Sequence, residues 1–288
     1  MENSVYSTQS VQKVTINFND RRETVRTIVK IAVVTGASRG LGREIQKQLL
    51  RLGFEVITMS RTKPDDLSSH HLFLDLLDAE NMETINGKVV ALAPDGIDLL
   101  VNCAGFGISG PFEETSLQDV RRQFDVNVFG AWELTRKLLP LLERKKGRIL
   151  FVGSVAGTVP IPFQSFYSVT KSALKHMSLC LDIELKPLGM RSMCVELGDI
   201  RTTFTDHRQK IDCSEKYAAR CNRSVAMMEK DERKGDSPEN VAPEILKTAL
   251  SKNPPPVWTH GKSYQLLSSL YRMMPVRLSN AIIGRMYG

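Results

Sequence analysis

The stretch KIAVVTGASRGLGREIQKQLLRLG, residues 30–53, decides the fold. Its apolar start predicts a buried strand, and its second half predicts an amphipathic helix. Between them, Gly36 permits a tight turn, while Gly40 and Gly42 allow close approach of backbone and ligand. The N-terminus of such a helix presents N–H groups and partial positive charge to a phosphate. A strand–helix turn without a ligand is the alternative, and three glycines at this spacing in this context count against it.

Further apolar runs follow along the chain, each separated from the next by a helical pattern or a polar segment. The predicted strands are 54–60, 71–76, 97–105, 147–154 and 190–198. A long helical pattern over 118–146 indicates two helices joined near Asp125. Strands that alternate with helices imply a parallel sheet covered on both faces. We therefore predict an α/β fold, a doubly wound, mostly parallel Rossmann-type sheet in a single domain with a C-terminal helical lid or tail.

The pattern divides the chain into three parts. Residues 1–28 form an N-terminal extension, and residues 29–260 form the predicted α/β domain. That domain includes a polar, weakly periodic segment at about 202–236, followed by a helix from Ser237 and Pro238 and an edge strand at 257–259. Residues 261–288 are a basic amphipathic segment.

Charge and cysteine content narrow the function classes. The net charge of +7 comes from +5 in residues 251–288 and +2 in residues 1–30, so the middle of the chain is neutral. A neutral middle argues against a nucleic-acid-binding body. The five cysteines are scattered, with no CxxC pair, which favours free thiols in a reducing compartment and no metal site. Without a signal peptide or an 18-residue apolar run, we expect a cytoplasmic protein, with peripheral membrane contact left open.

The end of the second strand indicates which dinucleotide is bound. Proteins that bind NAD commonly carry an acid there for the ribose 2′-hydroxyl, whereas this chain has Ser60 and Arg61. Arg39 lies within the glycine turn. Two guanidinium groups beside one ribose suit a 2′-phosphate, so NADP(H) is favoured over NAD(H). The alternative is that both arginines are solvated surface residues.

The segment FYSVTKSAL, 166–174, places Tyr167 and Lys171 one helical turn apart on the same face. In an arbitrary helix this pair would be a surface tyrosine beside a lysine stem. In a catalytic site, the cation would lower the pKa of the phenol and make its proton mobile.

The order of motifs resembles the short-chain dehydrogenase/reductase family. The resemblance rests on the glycine turn at 35–42, NCAG at 102–105, Asn127 in DVNVFG, Ser154 in GRILFVGS, and YSVTK at 167–171. It implies the doubly wound sheet, a nicotinamide cofactor and carbonyl/alcohol chemistry. It also implies that Tyr167 is the general acid or base, that Ser154 hydrogen-bonds the substrate oxygen, and that Lys171 holds the nicotinamide ribose.

The resemblance assigns further residues to the site. Asn127 would hold a water that relays protons to Lys171. The predicted cofactor residues are Gly36, Ser38, Arg39, Gly40, Leu41, Gly42, Ser60, Arg61, Asp75, Asn102, Ala104, Gly105, Tyr167, Lys171, Ile200 and Thr202. Among these, Asp75 would lie near the adenine and Thr202 would bind the nicotinamide carboxamide.

Two positions depart from the family pattern. Cys103 stands where the family has a second asparagine, and Leu197 stands where it has proline before Gly198. The turn after residue 197 can still form, but the loss of proline puts in doubt how rigidly Thr202 is held.

The substrate is indicated only by resemblance and by apolar residues near the expected site. The segment at about 202–236 lies where the family has its substrate lid, with Tyr217, Met227 and Met228 as apolar contacts. Flanking loops add Phe106, Ile108, Phe112, Val159, Ile161 and Phe163. These segments resemble the branch that acts on steroids, retinol and acyl-dihydroxyacetone phosphate, which implies a small-molecule, bulky and lipophilic carbonyl or alcohol substrate.

Several alternatives stay open at this level. The tail at 262–288 is either an amphipathic element resting on a membrane or a pair of helices packed on the body and closing the pocket. Helices over 116–146 and 163–186 would form the interface of a homodimer or tetramer. A non-catalytic dinucleotide-binding regulator is the alternative to an enzyme, although such proteins typically lack the tyrosine or the lysine.

Overall fold

The structure, a computed structural model, describes residues 29–65 and 69–287. The predicted N-terminal extension, 1–28, lies outside the described residues. The strands are Lys30–Thr35 (β1), Phe54–Ser60 (β2), His70–Phe73 (β3), Leu99–Asn102 (β4), Ile108–Ser109 (β5), Arg148–Val152 (β6), Arg191–Glu196 (β7), Gln209–Lys210 (β8) and Val257–Thr259 (β9). The helices are Gly40–Arg51 (α1), Ala79–Leu92 (α2), Leu117–Phe124 (α3), Gly130–Lys145 (α4), Ser165–Leu185 (α5), Glu215–Lys234 (α6), Pro238–Ala249 (α7), Lys262–Met273 (α8) and Val276–Tyr287 (α9).

Seven strands form one parallel sheet in the order β3-β2-β1-β4-β6-β7-β9. The strand order reverses between β1 and β4, which in open α/β sheets is where ligands bind. The predicted doubly wound fold is therefore confirmed. The strand predicted over 97–105 is shorter, because Cys103 and Ala104 leave the sheet and donate their N–H groups to Thr35 Oγ1 at 3.0 Å each.

Both faces of the sheet are covered by apolar side chains, which explains why its central strands lack polar alternation. On one face Ile85, Leu134 and Leu138 pack against the sheet in one buried cluster. On the other face Ile45 of α1 and Ile245 of α7 belong to a second cluster. The two clusters fix α1 and α4 on opposite faces of the sheet.

The long helical segment is interrupted near the predicted position. Helices α3 and α4 are joined by a π-helical turn over Asp125–Phe129. A π turn inserts an extra residue into a helix and often marks a functional site. Here the turn contains Asn127, which is fully buried.

The segment after β7 leaves the sheet and returns to its starting point. Arg201 N donates to Asp236 O at 2.9 Å, Asp236 N donates to Asp199 O at 3.2 Å, and Ile200 pairs with Asp236 in a parallel bridge. The intervening residues, 201–235, contain β8 and the 20-residue helix α6. We refer to residues 201–235 as the lid segment.

Helices α8 and α9 pack on the body beside the lid segment. Tyr264, Leu267 and Tyr271 of α8 join Ile283 of α9 in a cluster with Val155 and Val159. Of the two alternatives for the tail, the inner faces of α8 and α9 therefore show the packed pair of helices.

Candidate active site

A cavity of about 630 Å³ opens at the carboxyl ends of the parallel strands, between the glycine turn and the lid segment. Most of the predicted site residues line it. They are Gly36, Ser38, Arg39, Gly40, Leu41, Gly42, Ser60, Arg61, Asp75, Ala104, Gly105, Ser154, Tyr167, Lys171, Ile200 and Thr202. Asn102 and Asn127 do not line the cavity.

The glycine turn has the shape that a dinucleotide needs. Gly36 has φ +68°, and a Cβ there would lie 2.9 Å from Ala104 Cα. A Cβ on Gly42 would collide with the carbonyl oxygen of Gly36. The N-cap of α1, Arg39, makes no side-chain capping bond, and the first turn holds no acid, so the N-terminal N–H groups face no competing protein anion. These residues fit a pyrophosphate at the helix N-terminus.

The predicted ribose-phosphate residues lie at the same end of the cavity. Arg39 and Arg61 both line it, and Ser60 Oγ donates to Thr62 O at 2.7 Å. Asp75 Oδ1 accepts from Leu77 N at 3.1 Å, which fixes the carboxylate locally. Arg39 Nη1 lies 2.8 Å from Nε2 of His207, a lid residue, so the glycine turn and the lid segment are in contact.

Tyr167 and Lys171 are both enclosed, and their environment differs from the sequence expectation. Lys171 Nζ donates to Val152 O at 2.8 Å and lies 5.6 Å from the centroid of the Tyr167 ring. Burial raises the pKa of Tyr167 to about 12, opposed by a hydrogen bond from Ser154 and by the nearby Arg208 charge. Burial also lowers the pKa of Lys171. In the protein alone, desolvation therefore sets the direction of the tyrosine pKa, and the lowering expected from Lys171 is not seen.

The two predicted asparagines that do not line the cavity form hydrogen bonds to other residues of the protein. Asn127 Oδ1 accepts from Phe106 N at 3.0 Å, and its Nδ2 donates to Phe106 O at 3.0 Å and to Thr170 Oγ1 at 3.2 Å. Asn102 Nδ2 donates to Thr135 Oγ1 at 3.0 Å instead of facing the adenosine side of the cavity. Through these bonds the Asn127 side chain holds the Phe106 loop against α5, and its role in holding a water stays a prediction.

A buried ion pair lies one turn beyond Lys171. Lys175 Nζ lies 3.0 Å from Glu196 Oε1, and Glu196 is 1% exposed. Glu196 Oε2 accepts from Thr259 Oγ1 at 3.0 Å and lies 3.4 Å from Arg272 Nη2. The carboxylate thus connects α5, β7, β9 and α8 behind the cavity. A buried charge is tolerated when it is paired and fully hydrogen-bonded in this way.

The far wall of the cavity comes from the lid segment, from the loop after β6 and from α8 and α9. Phe204 tilts against the Tyr167 ring with centroids 5.8 Å apart. The apolar and aromatic residues of this wall are Val159, Ile161, Phe204, Met228, Tyr264, Leu267, Ile283, Met286 and Tyr287. Of the apolar contacts that the sequence proposes, Phe106, Val159, Ile161 and Met228 line the cavity, and Ile108, Phe112, Phe163, Tyr217 and Met227 do not.

Two carboxylates, Asp199 and Glu232, also line this far wall. Asp199 Oδ2 accepts from Tyr264 Oη at 2.5 Å. Burial raises the pKa of Asp199, the Tyr264 hydrogen bond opposes this, and Glu232 and Asp231 raise it further. Glu232 pairs with the buried Arg208 and accepts from Thr205 Oγ1 at 2.7 Å. Sequence reasoning missed both residues, and only the family-atypical LGD after β7 marks Asp199.

The turn after β7 is held despite the loss of proline. A Cβ on Gly198 would collide with the Tyr264 ring, so the glycine is required by packing from α8. Thr202 Oγ1 accepts from Phe204 N at 3.1 Å, and the Thr202 side chain lies next to Gly40 of the glycine turn. The contacts of Asp199 and Arg201 with Asp236 therefore replace the rigidity that proline would supply.

A family model described as short chain dehydrogenase matches residues 30–212. This range includes the glycine turn and the Ser154, Tyr167 and Lys171 group.

The chain belongs to the short-chain dehydrogenase family.

Several curated relatives of this short-chain dehydrogenase are reductases. The chain is 31% identical to a 3-ketodihydrosphingosine reductase from Bacteroides thetaiotaomicron over 232 residues, which cover 78% of this chain and 86% of the relative. It is 37% identical to an NADPH-dependent 1-acyldihydroxyacetone phosphate reductase from Saccharomyces cerevisiae, with 62% and 64% covered.

Solved structures agree on the fold. A short-chain dehydrogenase from Streptomyces avermitilis is 26% identical, with a TM-score of 0.76, and the match covers 90% of this chain and 97% of that chain. A short chain dehydrogenase from Burkholderia cenocepacia, solved in complex with NADP, has a TM-score of 0.70 at 22% identity, with 88% and 97% covered.

Membership makes this short-chain dehydrogenase an oxidoreductase of a fold that binds nicotinamide dinucleotides. Within residues 29–65 and 69–287, no helix has both the length and the apolar character needed to cross a bilayer.

Proposed function

We propose that the protein is an NADP(H)-dependent oxidoreductase that transfers hydride between nicotinamide and a carbonyl or secondary alcohol of a bulky lipophilic substrate. The observation that carries this proposal is one cavity in which Ser154, Tyr167 and Lys171 lie between a glycine turn and an apolar wall. A bound nicotinamide would supply or accept the hydride.

Tyr167 carries the proton chemistry in this proposal. In ketone reduction the substrate oxygen gains negative charge, and the Tyr167 hydroxyl donates a proton to it as general acid. The Ser154 hydroxyl has a single proton, which it shares with Tyr167 in the protein alone; with substrate bound it would turn that O–H to the same oxygen and stabilise the developing charge. Lys171 would hold the nicotinamide ribose, and Asn127 positions the Phe106 loop that borders the site.

Arg39 and Arg61 support the preference for NADP(H). Both side chains line the cavity at the carboxyl end of β2, and Ser60 stands where an acid would bind a free ribose hydroxyl. A guanidinium forms charge-assisted bonds with a phosphate that it cannot form with a hydroxyl. The NADPH dependence of the yeast relative points the same way.

The lid end of the cavity favours a ketone whose headgroup carries no negative charge. Asp199 and Glu232 line that end, and Arg208, the buried cation beside them, is already paired with Glu232. A phosphate would face like charge, whereas an amine or a hydroxyl would find an acceptor. The Bacteroides relative is named for a ketone with an amino-alcohol headgroup, and the yeast relative is named for a phosphorylated one.

The outer faces of α4 and α5 support the homo-oligomer expected from the sequence. Phe129 and Trp132, at the start of α4, and Val169 and Ile183, on α5, are exposed apolar side chains. Such side chains are more common at subunit interfaces than on a free surface.

The test is NADPH oxidation with three long-chain ketones. We would compare 3-ketodihydrosphingosine, its N-acetylated neutral form, and 1-acyldihydroxyacetone phosphate. We expect the phosphate compound to have a kcat/KM at least about tenfold below the other two, because of like-charge repulsion. In Asp199→Asn this difference should narrow.

Each other outcome has a distinct meaning. Preferred reduction of the phosphate compound would overturn the headgroup proposal and leave the reductase standing. NADPH binding without turnover of any ketone would favour the non-catalytic regulator.

A further inference from the structure

Helix α8 has two apolar faces, and among the described residues, 29–65 and 69–287, only one of them packs against other elements. Tyr264, Leu267 and Tyr271 face inward. Leu266, Leu270 and Met273 follow each other at helical spacing on the opposite side and are 61%, 48% and 82% exposed. An amphipathic helix of a globular protein normally turns a polar face to solvent, so this second apolar face is unexpected.

Helix α9 also carries exposed apolar side chains. Ile283 is buried in the same cluster as the inner face of α8. Leu278, Ile282 and Met286 lie to one side of Ile283 and are exposed, and Val276, at the start of the helix, is 70% exposed. We call the exposed apolar side chains of the two helices the α8–α9 outer face; they are Leu266, Leu270, Met273, Val276, Leu278, Ile282 and Met286.

The charged side chains of the two helices themselves have one sign. Lys262, Arg272, Arg277 and Arg285 belong to the two helices, and no acid occurs anywhere in residues 245–288. Arg272 also reaches Glu196 but stays half exposed. A second copy of the chain would bring the same positive charge to the contact. An anionic lipid surface matches both the apolar side chains and the cations.

The outer face is continuous with the substrate half of the cavity. Ile283, Met286 and Tyr287 line the cavity, and Met286 is at the same time part of the exposed stripe. An apolar path therefore leads from the surface to the wall opposite Tyr167.

We propose that the α8–α9 outer face rests on an anionic lipid membrane, with the mouth of the cavity turned toward the bilayer. The contact goes beyond the proposed function, since it concerns where the protein lies and not what it reduces. A lipophilic substrate would then enter the cavity directly from the bilayer. This second point rests on the proposed function.

The test is co-sedimentation of the full chain with vesicles of phosphatidylcholine, with and without 30% phosphatidylglycerol. We expect binding to the anionic vesicles that weakens with salt. Leu270→Asp with Met273→Asp should weaken it at least about tenfold, and Arg277→Glu with Arg285→Glu should do the same, at about 1 kcal/mol per basic residue. Leu52→Asp, at a 45% exposed position after α1, is the matched control and should bind normally.

Three results would overturn the proposal. The first is no binding to anionic vesicles, and the second is binding that survives both double variants, which would place the contact elsewhere in the chain. The third is an oligomer that Leu270→Asp with Met273→Asp converts to monomers, which would make this face an interface between copies. NADPH titration of every variant separates loss of this contact from loss of the fold, and is independent of the substrate.

Discussion

The two ends of the cavity are formed by different kinds of structural element. At the cofactor end, the walls are strand ends, backbone and the glycine turn, with Arg39, Arg61 and Asp75 among the charged groups. At the lid end, the walls are side chains of helices α6, α8 and α9, with Asp199 and Glu232 as the charged groups. Backbone tied into a sheet leaves little room for variation, whereas side chains on outer helices can be replaced singly. In the proposed function, the cofactor end would fix the reaction type and the lid end would select the substrate.

Tyr167 lies at the boundary of these two ends. Lys171 and Ser154 approach it from the sheet side, and Phe204 and Glu232 approach from the lid. The turnover that depends on Tyr167, and its dependence on pH, are therefore affected by both ends of the cavity.

The largest expected effect comes from Tyr167→Phe, which removes only the hydroxyl at the boundary. We expect kcat for ketone reduction to fall by about 10²- to 10⁴-fold, the usual contribution of a general acid. NADPH affinity, set at the cofactor end, should change little. Steady-state kinetics and a nucleotide fluorescence titration measure the two effects.

Tyr217→Phe is the matched control for this variant. Tyr217 lies on α6 and does not line the cavity, so its loss should leave kcat unchanged. Normal turnover by Tyr167→Phe would show that the proton comes from elsewhere.

The pH dependence of turnover shows which end of the cavity controls the pKa of Tyr167. Because burial raises its pKa to about 12, Tyr167 is protonated throughout the neutral range. Ketone reduction needs the protonated form, so its kcat/KM should stay constant from pH 6 to pH 8. Alcohol oxidation needs the deprotonated form and should rise by up to about tenfold per pH unit. The reverse pattern, with reduction falling and oxidation constant, would mean that cations on the cofactor side dominate once the nucleotide is bound.

Substitutions at the cofactor end should have a smaller effect, which is confined to NADPH binding. Arg39→Ala with Arg61→Ala should weaken NADPH binding roughly a hundredfold, since each charge-assisted bond contributes about 1.5 kcal/mol or more. NADH, which lacks the 2′-phosphate, should be bound nearly as before. Fluorescence titration with both nucleotides measures the difference, and Arg51→Ala, at an exposed position that ends α1, is the control. Equal losses for both nucleotides would remove the basis for the NADP(H) preference.

The sequence predicts the cofactor end of the cavity better than the lid end. The glycine turn, the alternation of strands and helices, and the spacing of Tyr167 and Lys171 depend on contacts within a few residues or on regular periodicity, and the structure has them as expected. The role of each residue in catalysis stays a prediction.

The lid end depends on contacts between distant parts of the chain. Gly198 is held against Tyr264, and Asp199 bonds the same tyrosine, which comes from α8. Nothing local in a run such as SYQLL marks a tyrosine that will close a cavity. The burial of Glu196 is equally invisible, because its partners Lys175 and Thr259 come from two other elements. Asn127 and Asn102 show the limit of a motif, since their positions match the family but their amides face Phe106, Thr170 and Thr135.

The short bridge between Ile200 and Asp236 has a consequence for engineering. It brings the two ends of the lid segment within one strand spacing, so residues 201–235 form a loop whose entry and exit are already joined. The entropic cost of closing such a loop grows only slowly with its length. A longer or shorter segment from another dehydrogenase could be transplanted between these two anchor points with the sheet left unchanged. Replacing residues 201–235 would then change the substrate preference, provided that the new segment keeps an aromatic side chain against Tyr167.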